Sequence, residues 1–91
     1  MTMTREAFEV AAATQEGPRA WQVAGRAYQD IHLHDVLATA AAPDEGLRVV
    51  RIVTYNKSTD LLSAMMTGTV TLHGDLRLDE TLPRFLYVAR E

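Results

Sequence analysis

Leu47-Arg48-Val49-Val50-Arg51-Ile52-Val53-Thr54-Tyr55 is the stretch on which the fold turns. Val49, Val50, Ile52 and Val53 branch at Cβ, which suits the pleated surface of a strand better than the crowded turn of a helix. Side chains alternate between faces along a strand, so these four residues occupy both faces. Apolar residues on both faces predict a strand inside a sheet, or one with a face covered by a partner chain. Solvent is then expected to be kept from both sides of Val49 to Val53.

On the N-terminal side, Pro43-Asp44-Glu45-Gly46 reads as a turn. In residues 20–37, alternation puts Trp21, Val23, Ala27, Ile31 and Leu33 on one face. Gln22, Arg26, Tyr28, Asp30, His32 and His34 fall on the other. This favours half-buried strands broken near Gln29-Asp30. A helix competes, because Trp21, Ala24, Tyr28 and Ile31 also repeat at helical spacing, and alanines keep a helix open over 34–42. Residues 4–15 read as a helix: Thr4 can cap it, Glu6 complements its dipole, and Phe8, Ala11, Ala12 and Gln15 share a stripe. Gly17-Pro18 stops it.

On the C-terminal side, Asn56 to Asp60 turns into a short helix near 59–67. Ser58 or Thr59 caps it, Leu61, Leu62, Met65 and Met66 form its apolar side, and Gly68 ends it. Thr69 to His73 is a strand with Val70 and Leu72 inward. A two-residue turn at Gly74-Asp75 would pair Leu72 with Arg77 and Thr71 with Leu78. Paired residues share a face, so the apolar sets would then oppose each other. The chain is therefore expected to bulge there or to turn into a different element. Residues 84–90, after Leu82-Pro83, fit a helix or an edge strand. The sum is a single α+β domain over residues 1–91. It has a small, mainly antiparallel sheet of about 4–5 strands, an N-terminal helix and the short helix near 59–67.

Composition narrows the function. The chain has 91 residues, 47% apolar and 23% charged, as in an ordinary globular domain. It has no cysteine, which removes disulfides, thiolate metal sites and cysteine nucleophiles. The net charge is −3 and the basic residues are scattered, so nucleic acid is not the expected partner. No apolar run approaches the roughly 20 residues of a membrane-spanning helix, and Met1 to Glu6 lacks signal-peptide order. A cytoplasmic location is expected.

Ile31-His32-Leu33-His34-Asp35 is the sharpest chemical feature. On a strand His32 and His34 point the same way and could ligate a metal, with His73 or Asp75 completing the set. A solvated face with two ordinary histidines explains them more simply. Asp30, Asp35, Asp44, Glu45, Asp79 and Glu80 fit turn and surface roles, and Ser58 and Ser63 have no base in evident reach. Gly68 and Gly74 fit a helix end and a turn, not a phosphate loop. Met65 and Met66, beside Leu61 and Leu62, could line a pliable apolar pocket, although plain core is the commoner fate. Trp21 and Tyr28 divide in the same way between interface and core.

Met65-Met66-Thr67-Gly68, the alternating Thr69-Val70-Thr71-Leu72, then Gly74-Asp75-Leu76 and Leu82-Pro83-Arg84-Phe85 carry a likeness. Residues 61–86 resemble the C-terminal segment of sterol carrier protein 2-like domains. Met66, Gly68, Val70, Leu72, Gly74, Asp75 and Leu76 carry the match, and Thr69 stands where a basic residue often follows the first glycine. The resemblance implies an α+β fold, a five-stranded sheet covered by helices on one side, and a tunnel for lipids or acyl chains.

These readings favour a small binding or accessory module over an enzyme, with no cofactor. Leu61, Met65, Met66, Val70 and Leu72 would present an apolar cleft or face to a hydrophobic small molecule or a protein partner. The first alternative is a structural subunit of a homo-oligomer or larger assembly. The second is a small enzyme or metal-binding protein using His32, His34 and His73.

Overall fold

A computed structural model describes residues 6–39, 46–74 and 85–88. Every regular element among them is a strand. They are β1 (Glu6–Gly17), β2 (Ala20–Ala27), β3 (Ile31–His32), β4 (Val36–Ala38), β5 (Leu47–Thr54), β6 (Lys57–Thr59), β7 (Leu61–Leu62), β8 (Thr67–His73) and β9 (Phe85–Val88). The main sheet has seven strands in the order β4-β9-β1-β2-β8-β5-β6, and β4 also pairs with β5. That extra pairing returns the sheet to its start. Strands β4, β9, β1, β2, β8 and β5 therefore close into an antiparallel barrel, with β6 continuing the hairpin at the end of β5. Strands β3 and β7 form a separate two-stranded piece.

The barrel interior is built from rows of directly paired residues, which share a face. Trp21, Leu72 and Val49 make one row, and Ala13, Val23, Val70 and Ile52 the next. Phe8 pairs with the small Ala27 on one side and with Leu86 on the other, so large and small side chains alternate as the interior narrows. Phe8, Leu37, Leu47, Val49, Ile52, Leu62, Val70, Leu72 and Leu86 are all fully buried. At Gly25 and Gly68, which pair across β2 and β8, no side chain fits. A Cβ on Gly25 would run into the carbonyl oxygen of Glu9, and one on Gly68 would lie 2.9 Å from the carbonyl oxygen of Val53.

The expected α+β class is corrected to an all-strand barrel, and the expected sheet of about 4–5 strands to one of seven. The N-terminal helix over 4–15 is strand β1 wherever it is described. Its register with β2 shifts between Val10 and Ala12, leaving Ala11 as a bulge. Phe8, Val10 and Ala13 then face the core, whereas Ala11, Ala12 and Gln15 of the expected stripe are exposed. Pairing with β2 and β9 overrides the modest helical preference of the alanines. The short helix near 59–67 is replaced by the ends of β6, by β7, by a turn and by the start of β8. Met65 adopts a φ of 73°, which no right-handed helix accommodates. Its N–H donates to the Ala27 carbonyl at 2.6 Å, and the Ala27 N–H donates to the Met66 carbonyl at 2.8 Å. The segment is therefore pinned to the end of β2. The helix kept open for 34–42 is strand β4 over Val36–Ala38.

The strand expected over 47–55 is present as β5, with one change of meaning. Its register with β8 shifts between Val49 and Arg51, so Val50 is an extra residue. Leu47, Val49 and Ile52 face inward, while Arg48 and Arg51 are exposed and Val50 and Val53 half-buried. The apolar character of both faces comes from this bulge, and the outer face stays open. The misfit of a tight Gly74-Asp75 hairpin also has its explanation: β2 and β5 occupy both edges of β8. The expected turn at Pro43-Asp44-Glu45 and the residues around Asp75, Leu76, Asp79, Glu80 and Leu82-Pro83 lie outside the described residues.

Candidate functional site: the outer face of β1, β2, β8 and β5

The residues that point away from the barrel core form a second set of rows. Val36, Arg48, His73 and Ala20 align across β4, β5, β8 and β2. Arg51, Thr71, Gln22 and Thr14 follow. Ser58, Val53, Thr69, Ala24 and Ala12 make the third row, and Thr67, Arg26 and Glu9 the fourth. Directly paired side chains stand roughly 5 Å apart, so each row is a continuous strip. Arg26, Arg48, Arg51 and His73 are exposed. Among the described residues Arg26, Arg48 and Arg51 form no ion pair. Glu9 is the only carboxylate in these rows, and it accepts a hydrogen bond from the Tyr28 hydroxyl at 2.7 Å. On a chain of net charge −3 this face is therefore positive and rich in hydroxyl and amide groups.

An open groove of about 700 Å³ crosses this face between the third and fourth rows. Glu9, Arg26 and Thr67 bound one side, and Ala11, Ala24 and Thr69 the other. Gly25 and Gly68 lie in its floor, and the bulge at Ala11 shapes its end. At these inward positions only backbone faces outward, so the groove floor is main chain. A smaller depression at the barrel end is lined by Arg19, Ala20, His73 and Gly74, where the Gly74 N–H donates to the Arg19 carbonyl at 2.9 Å.

The residues singled out from the sequence are dispersed. Val70 and Leu72 are wholly buried in the barrel core. Met66 packs against that core half-buried, Leu61 is half-buried opposite His32, and Met65 is 64% exposed. The segment that carries the sterol-carrier likeness contributes β8 and its approach, and the helices that likeness implies are not among the described residues. His32 and His34 do not share a strand face. β3 ends at His32, and His34 turns with a φ of 76° while its N–H donates to the Val49 carbonyl at 2.7 Å. Asp35 instead folds back on His32, accepting its N–H at 2.8 Å with the ring Nδ1 3.7 Å away. His73 lies on β8, paired with Ala20 and Arg48. Among the described residues no group of three or more His, Cys, Asp or Glu could hold a metal ion.

Arg26, Arg48, Arg51 and Gly25 did not stand out in the sequence, and Gly68 reads there as a helix end. Arg48 and Arg51 are three residues apart, a spacing that strand alternation assigns to opposite faces. Only the bulge at Val50 brings them together. Among the described residues no helix is long and apolar enough to cross a membrane. No family model matches the chain, and no curated protein or solved structure shows significant similarity to it.

Proposed function

We propose that this chain is a non-catalytic binding module that docks a protein partner through an acidic segment on the outer face of β1, β2, β8 and β5. The observation that carries this reading is the alignment of the exposed Arg26, Arg48, Arg51 and His73 with Gln22, Thr67 and Thr69, with Glu9 the only carboxylate among them. Carboxylates supply what such a face lacks, and planar guanidinium groups suit them in bidentate geometry. The groove over Gly25 and Gly68 adds a floor that an extended chain can approach closely. A protein partner is favoured over a hydrophobic small molecule because Val70 and Leu72 are engaged in the core. Single-stranded nucleic acid is less suited, because the basic residues of this face are few and the chain as a whole carries a net charge of −3.

Fluorescence anisotropy with a labelled Glu/Asp-rich peptide tests the reading. Binding is expected to weaken roughly tenfold between 50 and 300 mM salt, as screening predicts for exposed charges. It should be lost in Arg48→Glu/Arg51→Glu and kept in Lys57→Glu. Absence of peptide binding would overturn the reading. So would tighter binding of a single-stranded oligonucleotide or of a fluorescent fatty acid.

A further inference from the structure

The basic residues of the outer face are not evenly spread. Arg48 pairs directly with His73, and Arg51 with Thr71, two residues before His73 on the same side of β8. Directly opposed residues stand roughly 5 Å apart and alternate residues of a strand roughly 7 Å apart. Three basic side chains therefore leave the sheet within one small patch. All three are exposed, and no carboxylate is paired with any of them. Among the described residues Arg48 and Arg51 form no ion pair. Neighbouring like charges on a sheet are destabilising, so the patch gains from an anion supplied from outside. A depression of about 400 Å³ opens beside it, lined by His73 with Arg19, Ala20 and Gly74.

We infer that Arg48, Arg51 and His73 form a subsite for a phosphorylated side chain within the docked segment, an inference that rests on the acidic-segment function proposed for this face. A carboxylate carries one charge, and one guanidinium fork satisfies it. A phosphate monoester carries about −1.5 to −2 charges near neutral pH and three acceptor oxygens. Two guanidinium groups and an imidazole N–H match that larger demand. The phosphate is carried by a peptide rather than by a lipid. The exposed large apolar side chains Tyr28, Tyr55 and Met65 lie just after β2, just after β5 and just before β8, at the other end of these strands from Arg48 and His73. A membrane surface gains affinity by taking up apolar groups together with its charge attraction, and the patch offers it none of these three.

Fluorescence anisotropy with three peptides of one Glu/Asp-rich sequence tests the subsite. The first carries a phosphoserine, the second a serine at that position, and the third that serine with added glutamates to equal the charge of the first. The phosphopeptide is expected to bind about tenfold more tightly than the charge-matched peptide, because only phosphate engages both guanidinium groups at one point. Arg48→Gln and Arg51→Gln should each bring this ratio close to one. Residual binding of the charge-matched peptide shows that each variant is folded. Arg26→Gln, in the fourth row, should weaken both peptides by the same factor. Equal affinity for the phosphorylated and charge-matched peptides overturns the subsite and leaves the acidic-segment function standing. Absence of binding to all three overturns both. A phosphate preference that survives both arginine substitutions overturns the subsite as well. So does tighter binding of inorganic phosphate, or of phosphatidylcholine vesicles containing phosphatidic acid, than of the phosphopeptide.

Discussion

Gly25 marks a close approach of two strands of the barrel. It sits at an inward position of β2, between the buried Val23 and Ala27, where alternation would otherwise place a core side chain. β1 bends so closely over it that the Glu9 carbonyl oxygen and the Phe8 ring fill the space a Cβ would need. Backbone cannot yield as a flexible side chain can, so overpacking here is costly. Gly25→Ala is expected to destabilise the protein by roughly 2–4 kcal/mol, toward the upper range for single substitutions. Urea unfolding followed by circular dichroism measures it. A loss below about 0.5 kcal/mol, the size of an ordinary surface change, would mean that β1 does not approach β2 as described.

At the scale of elements, β5 and β6 make the sharpest contrast. β5 is flanked by β8 along one edge and by β4 and β6 along the other, and Val49 and Ile52 are fully buried. β6 pairs only with β5, and its Lys57 and Ser58 are exposed. Opening β6 breaks a short ladder, whereas opening β5 breaks the barrel. The amides of Val49 and Ile52 should therefore exchange only with global unfolding, and those of β6 at least about a hundredfold faster, since local opening costs far less than the whole stability. Equal protection in the two strands would contradict this arrangement. The sequence made β5 legible because four β-branched residues fall within five positions. It made the inward set of β2 legible too, since Trp21, Val23 and Ala27 alternate as expected. β1 and the segment near 59–67 misled for definite reasons. In β1 a bulge at Ala11 interrupts the alternation, and the exposed Ala11, Ala12 and Gln15 complete a helical spacing with the buried Phe8, while a left-handed Met65 broke a stripe that no local signal could distinguish from a helix. The arginine face was hidden by the same device, since the Val50 bulge creates it through register with β8. Register is a property of two strands, and neither strand carries it alone.

Closure is the property of the whole molecule, and it rests on its last described strand. β9 lies between β1 and β4, pairing Glu6 with Tyr87, Phe8 with Leu86 and Leu37 with Val88. It thereby joins residues near the two ends of the sequence, a contact that forms late and makes such topologies fold slowly. Leu86 is fully buried against the core, and the Tyr28 and Phe85 rings meet at 5.8 Å beside it. Deleting residues 85–91 would remove a buried leucine whose loss alone costs about 2–5 kcal/mol. Each ladder hydrogen bond lost adds about 1 kcal/mol, and β1 and β4 are left with open edges. Against the roughly 5–15 kcal/mol of a typical domain, these losses consume most or all of the stability. The shortened chain is expected to lose its cooperative thermal transition, to bind a hydrophobic dye and to aggregate through the exposed edge of β1 at residues 6–9. Calorimetry and light scattering would show it. A shortened chain that melts cooperatively within a few degrees of the full one would mean that the barrel does not depend on β9 for closure. The remaining strands would then have to be stable as an open sheet, with Phe8 and Leu37 packed by something other than Leu86 and its neighbours.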